Sequence, residues 1–450
     1  MAINETVAAV APAPKHVRNN EFVLNALKSR SITDKLFGWA LRDPRWLFAL
    51  LRCWPRAGFW WFGWTVVTRF DHVREVLAHN EVFHVPYAEK TMDLNGGPNF
   101  LLGMEDGELY RRYQKLVMRA FRLEEAQSVV AREAACLSRD ILNHSAGRID
   151  AVEGLLTRVA VLICEKYYGL PIPDPTVFGH WTIAMSTHIF VDATKVVPAH
   201  CRAAEAAAKQ VRALVNEAIA AAKGKPPASD TVLSRLVAMQ ASEPDLTDET
   251  IRAFLIGMVL GFVPTNTLAA GNILAVLLSR QNFMAQARAA ALSGDDDLLR
   301  RCLFEALRFK HIHWGLTRIC AKDYTLAEGA GFFREKRVRA GGKVLASTWS
   351  AMFDGTRVEN PNLFDPSRRS AEYMLLGYGL HWCIGAYIAY AQITQTFKAL
   401  LVQNDLRPMK GKKGRLQLVG DFPQHLWMHF KVPIVEIIRA DHADVQKERN

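Results

Sequence analysis

The stretch 375–393 reads LLGYGLHWCIGAYIAYAQI and holds a single cysteine, Cys383, among Gly377, Gly379 and Gly385. An apolar run at helical spacing follows it at once. Glycines let a backbone turn tightly and lie close to something flat or bulky. A cysteine just ahead of a helix has its thiolate favoured by the helix dipole and by the free N–H groups of the first turn. Such a sulfur serves as a nucleophile or as a metal ligand. The nucleophile needs a partner base, and His381, two residues away, is badly placed for that if the loop is tight. A buried, inert thiol is the third reading.

Other residues invite chemistry elsewhere. VLGFVPTNTLAAGN, residues 259–272, places Pro264 in the most apolar part of the chain. Inside a helix that proline removes a backbone hydrogen bond and clashes one turn back, at a cost of about 3 kcal/mol. FEALR sets Glu305 and Arg308 on one helical face at i, i+3. As an exposed pair they are worth only about 0.2–0.5 kcal/mol. NPNLFDPSR ends on Arg368, and GLTRIC carries Arg318.

The elements that must position these residues are mainly helices. From about residue 21 to 310 apolar residues recur mostly at helical spacing. WTVVTRFDHVREVLAHNEVF is an exception, resembling a strand followed by a short helix from near Asp71. Gly224–Pro227 reads as a linker, and Thr247 as the cap of the helix that carries Pro264. Past residue 310 the chain turns to short strands, an irregular meander at ENPNLFDPSRR, a helix from about Ile384 to Val402 and a final strand region.

Composition narrows the function classes. Of 450 residues, 50% are hydrophobic and 22% charged, enough apolar content for a large core. The net charge of +11 comes without a basic tract interleaved with stacking aromatics, so no nucleic-acid partner is expected. Seven cysteines without a C-x-x-C pair argue against a disulfide framework and a zinc site, and place the chain in the cytoplasm. Residues 1–20 read as a mobile extension without signal-peptide features, and 21–450 as a single catalytic domain. Residues 253–278 are apolar but interrupted by Pro264, Asn266 and Asn272, which suits a core helix and gives no membrane span.

LGYGLHWCIG resembles the cysteine-ligand loop of the cytochrome P450 family, F-G-x-G-x-H/R-x-C-x-G, with Leu376 in place of Phe. The resemblance extends over residues of about 30 to 440 and includes the E-x-x-R of Glu305 and Arg308 and the meander arginine Arg368. It implies a mainly α fold with small β-sheets and a long central helix over a buried haem b, iron protoporphyrin IX. Cys383 would be the proximal thiolate, Gly377, Gly379 and Gly385 its cradle, His381 and Arg318 propionate contacts, and Glu305, Arg308 and Arg368 a locking charge network. The helix that in this family aims a His and an Arg at a propionate holds Tyr110 and Gln114 there, with Arg111, Arg112 and Lys115 as candidate substitutes.

The central helix departs from the pattern A/G-G-x-D/E-T. Gly261 is kept, but Val263 replaces the acid and Pro264 the threonine that help deliver protons when dioxygen is the oxidant. Thr265 and Asn266 could take over by a one- or two-residue shift. The resemblance therefore implies a haem-thiolate oxidoreductase acting on an apolar small molecule with peroxide or an organic hydroperoxide. The alternatives are a conventional dioxygen-dependent monooxygenase served by an acidic ferredoxin, and a haem sensor. Val263, His313 and Trp314 are the candidate substrate-pocket residues.

Overall fold

Thr247 accepts a hydrogen bond from Thr250 N–H at 3.3 Å and starts a helix that runs unbroken from Asp248 to Ser279. Asp248 and Glu249 occupy its first turn, where their charge suits the helix dipole. The computed structural model describes residues 43–194, 197–224 and 230–431. The expected extension, residues 225–227 of the linker and the chain beyond Lys431 lie outside the described residues.

This central helix is apolar all round, as befits a helix surrounded by others. It packs against the helices Pro175–Ser186, Pro198–Gly224 and Asp296–Phe309 and the helical turn Ala151–Thr157. It is also the one helix among the described residues long and apolar enough to cross a membrane, and it is buried inside the protein. A Cβ on Gly257 would stand 2.3 Å from Phe100 Cδ1, so the missing side chain lets that ring lie directly on the helix. The helix continues through Pro264. Thr267 shows how polar groups are absorbed there: its hydroxyl lies 2.9 Å from the Val263 carbonyl and 3.1 Å from the Thr157 hydroxyl.

The strands are short, as the alternating sequence runs suggest: β1 (Phe59–Trp61), β2 (Trp64–Val67), β3 (Phe83–His84), β4 (Arg148–Asp150), β5 (Leu316–Cys320), β6 (Tyr324–Leu326), β7 (Lys336–Val338), β8 (Lys343–Ala346), β9 (Asn404–Pro408), β10 (Gln417–Val419), β11 (Phe422–His425) and β12 (Trp427–Lys431). They form a sheet of order β1-β2-β8-β5-β3, a sheet β4-β12-β9 and the hairpins β6–β7 and β10–β11. The expected strand and helix near residue 64 are β2 and the helix Phe70–Ala78. In the largest sheet Arg318 of β5 faces Val344 of β8, which fixes where the arginine leaves the strand.

Candidate active site

Gly377 and Gly379 have φ angles of +82° and +73°, the left-handed region that favours glycine. A Cβ on Gly379 would stand 2.6 Å from the Leu77 carbonyl oxygen, so the loop rests on the end of the Phe70–Ala78 helix. Three further ties hold it. Cys383 N–H donates to Leu376 O at 3.0 Å, Tyr110 hydroxyl to Leu380 O at 2.9 Å, and His311 Nε2 lies 3.1 Å from Leu375 O. The next helix begins at Ala386, and a Cβ on Gly385 would lie 4.0 Å from Cys383 Sγ and 3.9 Å from Met258 Cε. The sulfur and Met258 of the central helix thus flank the same glycine.

Burial pushes the Cys383 thiol up, against a smaller opposite effect of the Gly385 N–H. The helix-end effect expected from the sequence is therefore the weaker one. A thiol with a raised pKa and no adjacent base is a poor nucleophile. His381 supplies no such base, since its ring packs edge-on to Tyr110 with centroids 5.8 Å apart.

Gly261 is exposed and Thr265 partly exposed, although nearly all the surrounding helix is buried. Cys383 is likewise surrounded by protein without being closed over. Gly261 and Thr265 on the central helix and Cys383 on the loop therefore all keep some surface uncovered. Arg318 of β5 is only 2% exposed, with Nη1 donating to Thr317 O at 2.9 Å. Its Nε and Nη2 have no partner, and neither has His381 Nε2. Burial and then the Arg318 charge push His381 down to about 4, so the imidazole is neutral at pH 7. Burial also lowers Arg318, while Tyr87 and Glu105 favour its charge.

These groups allow a test of whether a haem fits. An unmatched buried N–H costs about 1–3 kcal/mol, and more on a charged group. Arg318 and His381, close enough for one to perturb the other, offer three such donors to an anion such as a propionate. Cys383 offers a soft ligand, and the fit is consistent.

Behind the loop lies a closed ion network. Arg308 Nη2 and Nε donate to the two Glu305 oxygens at 2.6 and 2.9 Å, with both side chains fully buried. The remaining donors of Arg308 meet the carbonyls of Met352, Pro361 and Leu363. Arg368 stands 3.7 Å from Glu305 and donates to Glu372 at 2.9 Å. Sequence reasoning missed Glu372 and Tyr373, whose hydroxyl donates to Glu305 at 2.8 Å. Burial, then the Glu305 charge, drives the Tyr373 hydroxyl far up.

Several expected residues are placed elsewhere. Asn266 turns to the Ala386–Leu401 helix, donating to Gln392 Oε1 at 2.8 Å in a buried chain that continues to Thr396. Its amide is thus held by the neighbouring helix, whereas Gly261 and Thr265 keep some exposure. Thr265 is partly exposed, with its hydroxyl donating to the Gly261 carbonyl. Val263 is fully buried. Trp314 packs edge-on to Phe48 at 6.0 Å. His313 lies over Phe190, centroids 5.6 Å apart. Burial, then His311, push His313 down to about 4 against Asp421. Arg111 and Arg112 do not substitute for the missing propionate donors: they pair at the surface with Asp106, and with Glu243 and Asp245.

One cysteine held under a long helix, with unmatched N–H donors beside it, defines a haem-thiolate type of oxidoreductase. A sequence profile of the cytochrome P450 family matches residues 60–422. The chain belongs to the cytochrome P450 family. It is 25% identical over 346 residues to the mycinamicin IV hydroxylase/epoxidase of Micromonospora griseorubida, covering 75% of this chain and 81% of that one. It is 27% identical over 348 residues to the cytochrome P450 monooxygenase PikC of Streptomyces venezuelae, covering 75% and 77%. The solved structure of ligand-free cytochrome P450 TbtJ1 has the same fold, with a TM-score of 0.71 at 21% identity over 86% of this chain and 98% of that one. The protein is accordingly a monooxygenase-type haem-thiolate enzyme of a family that uses haem iron and acts on small molecules, usually with redox partners.

Proposed function

We propose that this P450 oxidises a neutral, largely apolar small molecule and takes its oxygen atom from peroxide or an organic hydroperoxide. Cys383 would hold haem b, with Arg318 and His381 toward its propionates, and the haem would supply the redox chemistry of oxygen insertion. In that reaction R–H and H2O2 give R–OH and H2O. With dioxygen, two electrons and two protons must be added from outside.

The observation that carries this reading is the open face of the central helix. Val263 and Pro264 cannot donate or relay a proton. Thr265, the one hydroxyl there, gives its hydrogen to the Gly261 carbonyl, and Asn266 is bound to Gln392. These residues supply no acid and alcohol pair to bring protons in, which a peroxide donor has less need of. His313, neutral at pH 7 and packed at a tilt against Phe190, suits a hydroxyl or carbonyl better than a carboxylate. The relative named as a mycinamicin IV hydroxylase/epoxidase supports oxidation of an organic small molecule. All seven cysteines are unpaired, which supports a reducing cytoplasm.

The second reading, a dioxygen-dependent monooxygenase served by an acidic ferredoxin, draws on Thr265: the residue is partly exposed and its hydroxyl can rotate off Gly261. Turnover decides between them. Anaerobic enzyme with peroxide should form product; if product appears only with reduced ferredoxin and air, the peroxide reading fails.

A further inference from the structure

A second polar cluster lies apart from the cysteine loop, where four elements meet. Asp150 ends β4, and its Oδ1 accepts from the N–H groups of Val152 at 3.1 Å, Leu426 at 3.0 Å and Glu153 at 3.4 Å. Its other oxygen, Oδ2, lies 2.5 Å from His425 Nδ1 at the end of β11. The same nitrogen is 3.7 Å from Glu153 Oε2, while Glu153 Oε1 is 2.6 Å from Nε2 of His180 on the Pro175–Ser186 helix. Donor atoms of Asp150, Glu153 and His425 all lie within 4.8 Å of one another. A void of about 10 Å³ borders Glu153 and His180, room for about one water molecule.

We infer that Asp150, Glu153, His180 and His425 bind one first-row divalent cation of the zinc type. Two imidazoles select against magnesium and calcium, and two carboxylates balance the charge of the ion. Metal bonds of about 2.0–2.1 Å in a tetrahedron place donor atoms about 3.3 Å apart. The contacts at 2.5 and 2.6 Å are hydrogen bonds, whose shared protons the ion displaces as the side chains part. Glu153 and His425 are partly exposed, at 27% and 30%, and can make that movement. Asp150, gripped by three backbone N–H groups, and the buried ring of His180 form the fixed side of the site. Such outer hydrogen bonds orient a ligand before the metal arrives.

The ion would staple β11 to three other elements. A Cβ on Gly271 of the central helix would stand 2.6 Å from Pro423 of β11. Asp421, the residue just before the same strand, acts on His313. The site thereby fixes a hairpin that reaches the candidate substrate space.

The test uses haem-loaded full chain, stripped with chelator and desalted, with Cys53, Cys136 and Cys201 replaced by serine to remove accessible thiols. Calorimetric titration with zinc chloride should give one zinc per chain at micromolar affinity or tighter. Zinc should also raise the thermal midpoint and leave the Soret band unchanged. His180→Gln and His425→Gln should each weaken binding by about tenfold or more. Should a histidine variant fail to fold, seen as a lost Soret band, Glu153→Gln decides by the same criterion. No binding at about 100 μM zinc, or equal binding by the parent and the folded variants, overturns the assignment.

Discussion

Replacing Arg318 with methionine should act in opposite directions on the haem-loaded and haem-free proteins. Methionine keeps the length and fills the space, so little cavity is created. In the haem-free chain the arginine is a 2%-exposed cation with two unmatched donors, Nε and Nη2. Removing it relieves a desolvation penalty, and the thermal midpoint should stay level or rise. In the loaded protein the same donors meet a carboxylate. At about 1–3 kcal/mol for each donor, roughly 3 kcal/mol of haem affinity should disappear, close to a 100-fold faster loss of haem. Capture by excess apomyoglobin, followed at the Soret band, measures that rate, and Arg318→Lys should fall between. A loss rate within about threefold of the parent would refute the propionate assignment. So would a haem-free variant that is clearly less stable.

Glu305→Gln leaves Arg308 fully buried without its charge partner, so a loss of about 3–5 kcal/mol is expected, read as a lower denaturant midpoint at the Soret band. Gly379→Ala combines φ +73° with a Cβ 2.6 Å from the Leu77 carbonyl. It should shift the loop and lose the thiolate-type spectrum of the reduced, carbon-monoxide-bound enzyme. His313 has its pKa lowered to about 4. The unfolded chain therefore takes up the proton first, and stability present above about pH 6.5 is lost as pH falls toward 4, by up to about 3 kcal/mol. Denaturation at several pH values should show a flatter acid limb for His313→Gln than for the parent.

The cysteine loop and the Glu305–Arg308 pair were legible because each depends on near neighbours. Positive-φ glycines, a helix start and an i, i+3 pair are all written within a few residues. The cap at Thr247 and the strand–helix unit near residue 64 belong to the same class. What escaped depends on partners far apart. Tyr373 meets Glu305 across 68 positions, Asn266 meets Gln392 across 126, and His425 meets Asp150 across 275. Nothing in the local sequence tells whether Asn266 faces the open side of its helix or the neighbouring helix. Tyr110 was seen only as a missing histidine. Its hydroxyl instead ties the helix Glu108–Phe121 to the loop through Leu380.

Arg308 spends its outer donors on carbonyls 44, 53 and 55 positions downstream, and Glu305 waits for a tyrosine 68 positions on. A chain emerging from the ribosome must therefore keep this pair hydrated until the meander has left the tunnel. Desolvating it earlier would strand both charges. The core behind the cysteine loop is thus assembled late and all together, and a nascent chain ending before residue 373 should be unable to close it.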